Sequence, residues 1–220
     1  MDTADFVDFL LEHDVLAFGD FTTKSGRATP YFLNFGNLGT GAQIDTVGRA
    51  YADHVVATFG DDVDVLFGPA YKGIPLAVAT AVSLQRDHGL DVAWTFDRKE
   101  AKDHGEGGSL VGHVPTDGQR VVIVEDVTTA GTSIRETVPK LRAVADVDVV
   151  GLVVSVDRRE RGTRDDVTAL DEVAEEFGLR ATAITDIDRV VEVLTAPGRD
   201  VLSADDLDRL AAYRDRWGVS

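Results

Sequence analysis

Val121-Val122-Ile123-Val124-Glu125-Asp126-Val127-Thr128-Thr129-Ala130-Gly131-Thr132-Ser133 is the stretch that decides the fold. Val121 to Val124 are four consecutive β-branched apolar residues, which read as a strand buried on both faces, the habit of parallel sheets. Two carboxylates follow at once. A turn of Thr, Ala, Gly and Ser then opens a helix whose apolar residues Ile134, Val138 and Leu141 recur at i, i+4 and i+7. Free backbone N–H groups and the positive end of a helix dipole suit a phosphate. Carboxylates just before them accept hydrogen bonds from sugar hydroxyls. A generic α/β strand ending in a solvated acidic turn shares single parts of this pattern. Here all the parts lie within thirteen residues, in the order that ribose 5-phosphate needs.

The same stretch resembles the PRPP-binding signature of type I phosphoribosyltransferases. Four other segments narrow the resemblance to one branch. Phe21-Thr22-Thr23-Lys24-Ser25-Gly26-Arg27, with Pro30-Tyr31-Phe32-Leu33-Asn34 after it, resembles the N-terminal hood of orotate phosphoribosyltransferases. Phe67-Gly68-Pro69-Ala70-Tyr71-Lys72-Gly73-Ile74-Pro75 resembles their pyrophosphate loop. Phe96-Asp97-Arg98-Lys99-Glu100-Ala101-Lys102-Asp103-His104-Gly105-Glu106-Gly107-Gly108 resembles their catalytic loop. Ser155-Val156-Asp157-Arg158-Arg159-Glu160-Arg161-Gly162 matches a late strand end. The segments keep the family's order over roughly residues 3 to 194, and the bacterial type fits best.

Composition sets the outer limits. A chain of 220 residues with 44% hydrophobic content can bury one substantial core. It has no cysteine, which excludes disulfides, thiolate catalysis and thiolate metal sites. The opening Met1-Asp2-Thr3-Ala4-Asp5 lacks the basic and apolar regions of a signal peptide, and no apolar stretch reaches membrane-spanning length. A cytoplasmic protein is expected, with no membrane partner. Net charge of −17 disfavours nucleic acid, whose phosphates call for clustered Lys and Arg. Asp outnumbers Glu 29 to 10, an acid excess that fits a halophilic, high-salt cytoplasm, where screening shortens to about 3 Å at 1 M. Of the 22 basic residues only five are Lys. Lys24, Lys72, Lys99 and Lys102 all fall in the segments quoted above, as befits an anionic ligand, and Lys140 alone lies elsewhere.

Alternation of elements predicts an α/β fold, a central and mostly parallel sheet flanked by helices, with a small N-terminal hood. Helices are expected at 2–13, about 42–59, about 73–86, 166–177, near 186–194 and at 203–217. Strands are expected at 63–67, 91–96, 121–124, 147–156 and near 180–184, with a short β hood over 21–35. Pro139 should kink the helix after the signature or end it early, because it has no N–H and crowds the carbonyl of Arg135. One phosphoribosyltransferase domain is expected over 1–220: hood mainly 1–40, core about 41–195, C-terminal helix about 203–217.

The resemblance implies Mg²⁺-dependent pentosyl transfer, in which PRPP and orotate give orotidine 5′-monophosphate and pyrophosphate in pyrimidine biosynthesis. It implies a homodimer with shared active sites. It places Val127, Thr128, Thr129, Ala130, Gly131, Thr132 and Ser133 at the 5′-phosphate, with Glu125 and Asp126 beside the ribose and the developing charge. Tyr71 and Lys72 fall at the pyrophosphate, with a non-proline cis peptide at that loop. Arg98, Lys99, Lys102 and His104 belong to a closing loop, in which Lys102 is catalytic. Lys24 reaches PRPP from the hood, Phe32 and Leu33 flank orotate, and Thr129 and Arg158 contact it. Mg²⁺ is held mainly by PRPP and water, with no direct side-chain ligand. Three readings stay open from the residues alone: Phe32 as plain core, Arg158 as a partner of Glu160 or Asp157, and His104 as a loop residue. Many relatives carry Asp where this chain has Glu125. A purine-salvage phosphoribosyltransferase would share the signature without the hood and closing loop. A PRPP-sensing regulator would need a basic module that this chain lacks.

Overall fold

The computed structural model describes residues 1–23, 26–99, 109–128 and 131–219. Val121 to Val124 are fully buried and form most of strand β6 (Arg120–Val124), the centre of the sheet, as their composition requires. Each such side chain contributes roughly 1.5–3 kcal/mol by leaving water. On one side of β6 lies β3 (Val65–Phe67), followed by β4 (Ala93–Asp97) and β5 (Leu110–Gly112). On its other side lie β7 (Asp148–Asp157) and β8 (Arg180–Asp186). All pairs are parallel except β4 with β5. After β3 the chain turns to one side of the sheet, and after β6 it turns to the other. The crevice between the C-terminal ends of β3 and β6 is thus a topological switch point, where open α/β sheets bind ligands.

Helices cover the sheet: α2 (Gly41–Phe59), α3 (Gly73–His88), α4 (Thr132–Val144), α5 (Ala169–Phe177) and α6 (Ile187–Leu194). The boundaries agree with the sequence expectations to within a few residues, with three differences. Helix α4 runs through Pro139 to Val144, so the early end expected there is not found. Ile134, Val138 and Leu141 are fully buried on one face of α4 while Pro139 faces solvent, and that packing holds the helix together. Strand β5 has only three residues and no apolar alternation by which to read it. The hood strands begin earlier than expected, at β1 (Leu16–Thr22), which pairs antiparallel with β2 (Ala28–Leu33).

Helix α1 (Thr3–Glu12) and the hood drive Phe6, Leu10, Leu16, Tyr31 and Leu33 into the same apolar cluster as Val122 and Val124 of the sheet. Helix α7 (Ala204–Trp217) packs on β2, and its Tyr213 ring meets Tyr31 edge-on at 6.0 Å. The C-terminal helix is therefore structurally part of the hood. No helix among the described residues is long and apolar enough to cross a membrane.

Candidate active site

The two strands at the switch point each run into a loop that opens a helix. After β3 the chain passes Gly68-Pro69-Ala70-Tyr71-Lys72 into α3, and the Ala70–Tyr71 peptide is cis, as the resemblance implies. The two ends of this loop nearly touch. A Cβ on Gly68 would lie 2.1 Å from the carbonyl oxygen of Gly73, so no larger residue fits. After β6 come Glu125, Asp126, Val127 and Thr128, then Gly131 with φ +69° as the N-cap of α4. Gly131 donates its N–H to Thr128 Oγ1 at 3.1 Å, which tightens the turn.

The helix N-termini divide into two kinds. Asp2, Thr40, Thr168, Asp186 and Ser203 cap α1, α2, α5, α6 and α7 with side-chain hydrogen bonds. The N-termini of α3 and α4, both at the switch point, have no side-chain cap and no acidic residue in the first turn. Uncapped N–H groups and positive dipole ends thus face the crevice where an anion is expected.

The acidic pair is fastened from behind. Tyr51 of α2 donates to the carbonyl of Glu125 at 2.8 Å, and Ser155 Oγ of β7 donates to that of Asp126 at 2.5 Å. Burial pushes the Tyr51 phenol well above its ordinary value, so it remains a donor. Asp126 is buried, and its Oδ2 accepts from Lys72 Nζ at 2.9 Å. That bond joins the two loops across the crevice. Glu125 is half-buried overall: burial foremost, with the Asp126 charge adding to it, raises its carboxyl to about 7. A hydrogen bond from Ser133 and the charges of Lys99 and Lys72 oppose that rise. Its Oε2 is buried with no hydrogen-bond partner among the described residues.

Arg98 follows β4, and its backbone N–H closes on the Ser109 carbonyl at 2.8 Å, forming the root of the 98–109 loop. Its Nε is buried and unpartnered among the described residues. Of the expected set, Tyr71, Lys72, Lys99, Glu125, Asp126, Thr128, Gly131, Thr132 and Ser133 come together around the ends of β3 and β6. Val127 packs partly against the core. Lys24, Lys102, His104, Thr129 and Ala130 lie outside the described residues.

The residues expected near orotate differ in exposure. Phe32 is 38% exposed and stacks on Phe21 with ring centroids 5.5 Å apart, so the plain-core reading does not hold. Leu33 is buried opposite Leu16, because successive strand residues point to opposite faces. Only its main chain is left for a ligand. Arg158 is 6% exposed and pairs with Glu160 at 2.8 Å, while Asp157 accepts instead from the Arg159 N–H. Glu160, 4% exposed, also accepts from Arg27, Tyr31 and Tyr213 at 2.9, 3.0 and 2.9 Å. The Arg158 guanidinium lies over the Tyr31 ring at 4.6 Å, and its Nη1 makes no hydrogen bond to any described residue.

Sequence reading gave no role to five residues that support the site, Tyr51, Asp97, Lys140, Ser155 and Tyr213, and named Glu160 only as a partner of Arg158. Among those five, Lys140 alone carries a signal, being a lysine in a chain that otherwise uses arginine away from its ligand loops.

Comparison with known proteins agrees with this geometry. The phosphoribosyl transferase domain model matches residues 36–180. The orotate phosphoribosyltransferase of Clostridium acetobutylicum is 48% identical over 98% of this chain and 97% of its own length. That of Agathobacter rectalis is 53% identical over 87% of this chain and 85% of its own. The crystal structure of orotate phosphoribosyltransferase from Francisella tularensis superposes with a TM-score of 0.83 at 35% identity, covering 97% of this chain and 99% of that one. With its switch-point crevice, its cis-peptide loop and these relatives over nearly its whole length, the chain belongs to the orotate phosphoribosyltransferase family.

Proposed function

We infer that the crevice transfers the ribosyl 5-phosphate group of PRPP to orotate, giving orotidine 5′-monophosphate and pyrophosphate in pyrimidine biosynthesis. The observation that carries this reading is the Lys72–Asp126 bond at 2.9 Å, which sets a cation and a carboxylate side by side between two uncapped helix N-termini. The α4 N-terminus with Thr128 to Ser133 receives the 5′-phosphate. Glu125 and Asp126 accept from the ribose hydroxyls and face the positive charge that builds on the ring as the anomeric C–O bond breaks. Lys72 exchanges Asp126 for the diphosphate, and Arg98, Lys99, Lys102 and His104 gather round the leaving group. Lys24 approaches PRPP from the hood. No nucleophilic side chain is required, since preorganised charge in a water-poor site lowers the barrier.

Phe32, the Leu33 main chain, Thr129 and the free Nη1 of Arg158 are the groups we assign to orotate. A planar nitrogen fork suits its carboxylate or ring carbonyls. Mg²⁺ fits the donor set. We assign the ion mainly to PRPP oxygens and water, the usual setting for Mg²⁺, which takes few protein ligands and keeps several waters. Glu125, with its unpartnered Oε2, is a protein carboxylate that would face the bound ion and its waters. When bound, the ion neutralises the departing diphosphate.

A homodimer with shared sites is supported by an apolar groove of about 350 Å³ lined by Ile44, Pro75, Val78, Ala79 and Val82. It shares Ile44 and Pro75 with a cleft of about 410 Å³ beside Tyr71 and Lys72, so a second copy seated there would abut the pyrophosphate loop. Tyr71 is 72% exposed and Val82 55%. One phosphoribosyltransferase unit over 1–220 is supported by the apolar cluster that joins hood and sheet. A cytoplasmic setting of high salt is supported by the excess of 39 acids over 22 bases.

The test is incubation with PRPP, Mg²⁺ and orotate, uracil, adenine or hypoxanthine in parallel. Orotidine 5′-monophosphate and pyrophosphate should form with orotate alone. Turnover of a purine with none of orotate would overturn the assignment.

A further inference from the structure

Asp97 ends β4 and is 4% exposed, and its two oxygens are committed in different directions. Oδ1 accepts from the backbone N–H of Ala70 at 2.9 Å, and Oδ2 accepts from Lys140 Nζ of α4 at 2.9 Å. Ala70 immediately precedes Tyr71 and Lys72, and Asp97 immediately precedes Arg98 and Lys99. One buried carboxylate thus sits at the root of both anion-binding segments. Lys140 is the single lysine outside the segments quoted above, and it turns out to serve them.

We propose that Asp97 and Lys140 are a positioning pair for pyrophosphate binding, in which Asp97 fixes the Ala70 backbone and Lys140 cancels the charge that Asp97 brings. The proposal rests on the reading of 68–72 as the pyrophosphate loop. Two effects follow from the geometry. Without an acceptor at position 97, the Ala70 N–H is left unpaired in a half-buried place and the loop carrying Lys72 loses its register. Without a cation at position 140, a buried negative charge faces a site that must bind a polyanion, in surroundings where charges are poorly screened. Lys72, two residues from Ala70, reaches Asp126 at 2.9 Å, so a shift of the loop is felt directly at the ribose carboxylates.

The two effects separate by substitution. Asp97→Ala removes both the acceptor and the charge. Lys140→Met removes a side chain that is itself 42% exposed and leaves the carboxylate of Asp97, 4% exposed, uncompensated; a urea melt of this variant separates lost binding from lost folding. Asp97→Asn with Lys140→Met keeps an acceptor for Ala70 and makes the pair neutral. Steady-state kinetics and pyrophosphate binding in the presence of Mg²⁺ provide the readout. Asp97→Ala should raise the PRPP KM and weaken pyrophosphate by about tenfold, the scale of one hydrogen bond to a charged group. Lys140→Met should move both several-fold the same way, the double variant should return to within about twofold of the parent, and the orotate KM should stay within about twofold throughout. Equal shifts in the KM of PRPP and orotate, or no rescue in the double variant, would overturn the pair's role. Absence of pyrophosphate and PRPP binding in the unaltered chain would instead overturn the reading of the loop.

Discussion

Glu125 should make the protein less stable as pH rises, the reverse of an ordinary paired carboxylate. Its carboxyl titrates near 4.5 when exposed and is raised to about 7 in the fold, with burial as the largest cause. Below 4.5 the proton is bound in both folded and unfolded chains, and Glu125 contributes nothing to pH dependence. Between 4.5 and 7 the folded chain binds more proton than the unfolded one, so stability falls as pH rises. Above 7 both are ionised and the loss is complete. At about 1.4 kcal/mol for each pH unit between the two values, it amounts to about 3 kcal/mol. Glu125→Gln mimics the neutral form at every pH. Urea unfolding of parent and variant should therefore show no difference near pH 4.5 and a variant more stable by about 3 kcal/mol at pH 8. Acids that do not interact with Glu125 contribute equally in both proteins and cancel from the difference.

The same variant should lose activity while it gains stability. The ionised carboxylate is the form that accepts from a ribose hydroxyl, so kcat/KM for PRPP in the parent should climb with pH through about 7. In Glu125→Gln that limb should vanish. A stability difference between the two proteins that does not change with pH would refute the buried-carboxylate argument. Parallel activity profiles would remove Glu125 from the ribose site.

The remaining expectations concern the closing loop, the dimer and the surface. Lys102→Ala should lower kcat by roughly 10²–10³-fold, the scale for one preorganised electrostatic donor, and change orotidine monophosphate binding less; an unchanged kcat would take Lys102 out of the mechanism. Mixing chains inactivated by Lys99→Ala with chains inactivated by Asp126→Asn should regenerate some activity in hybrid dimers. No recovery after verified subunit exchange would mean that each loop serves its own chain. Thermal melts from about 0.1 to 3 M KCl should show Tm rising with salt while the PRPP KM also rises, since screening relieves the net charge of −17 and weakens polyanion binding together. A flat or falling Tm would end the high-salt reading.

The parts of this fold that could be read in advance are those whose cause is local. Val121 to Val124 announce a doubly buried strand by being β-branched without interruption, and all four are fully buried. The helices announce themselves by apolar spacing, and the structure adds caps such as the reciprocal capping box of Ser203 and Asp206 on α7. Local rules misjudge what tertiary packing overrides. Pro139 costs α4 one hydrogen bond, yet the buried faces of Val138 and Leu141 on either side carry the helix onward. Leu33 was grouped with Phe32 by motif, although strand alternation alone puts them on opposite faces.

The parts that could not be read are those whose cause is distant in the chain. Asp97 and Lys140 are 43 residues apart, and Tyr51 and Glu125 are 74 apart. Nothing in either local pattern points to the other. Glu160 is the extreme case. Tyr31 lies 129 residues before it and Tyr213 lies 53 after, yet both donate to the same Oε1. Arg158 and Arg27 complete the set, so a single buried carboxylate joins hood, sheet and C-terminal helix. Removing one partner from such a pair leaves an uncompensated charge, which is why burial here requires all the donors together. The arrangement is compatible with the orotate contact proposed for Arg158. Its Nε and Nη2 edge is held by Glu160, its face lies on Tyr31, and the remaining Nη1 is aimed by those two contacts instead of by its own rotamers. The resemblance named Arg158 for orotate, and the residues alone named it for Glu160. On the reading proposed above, the second is the condition for the first.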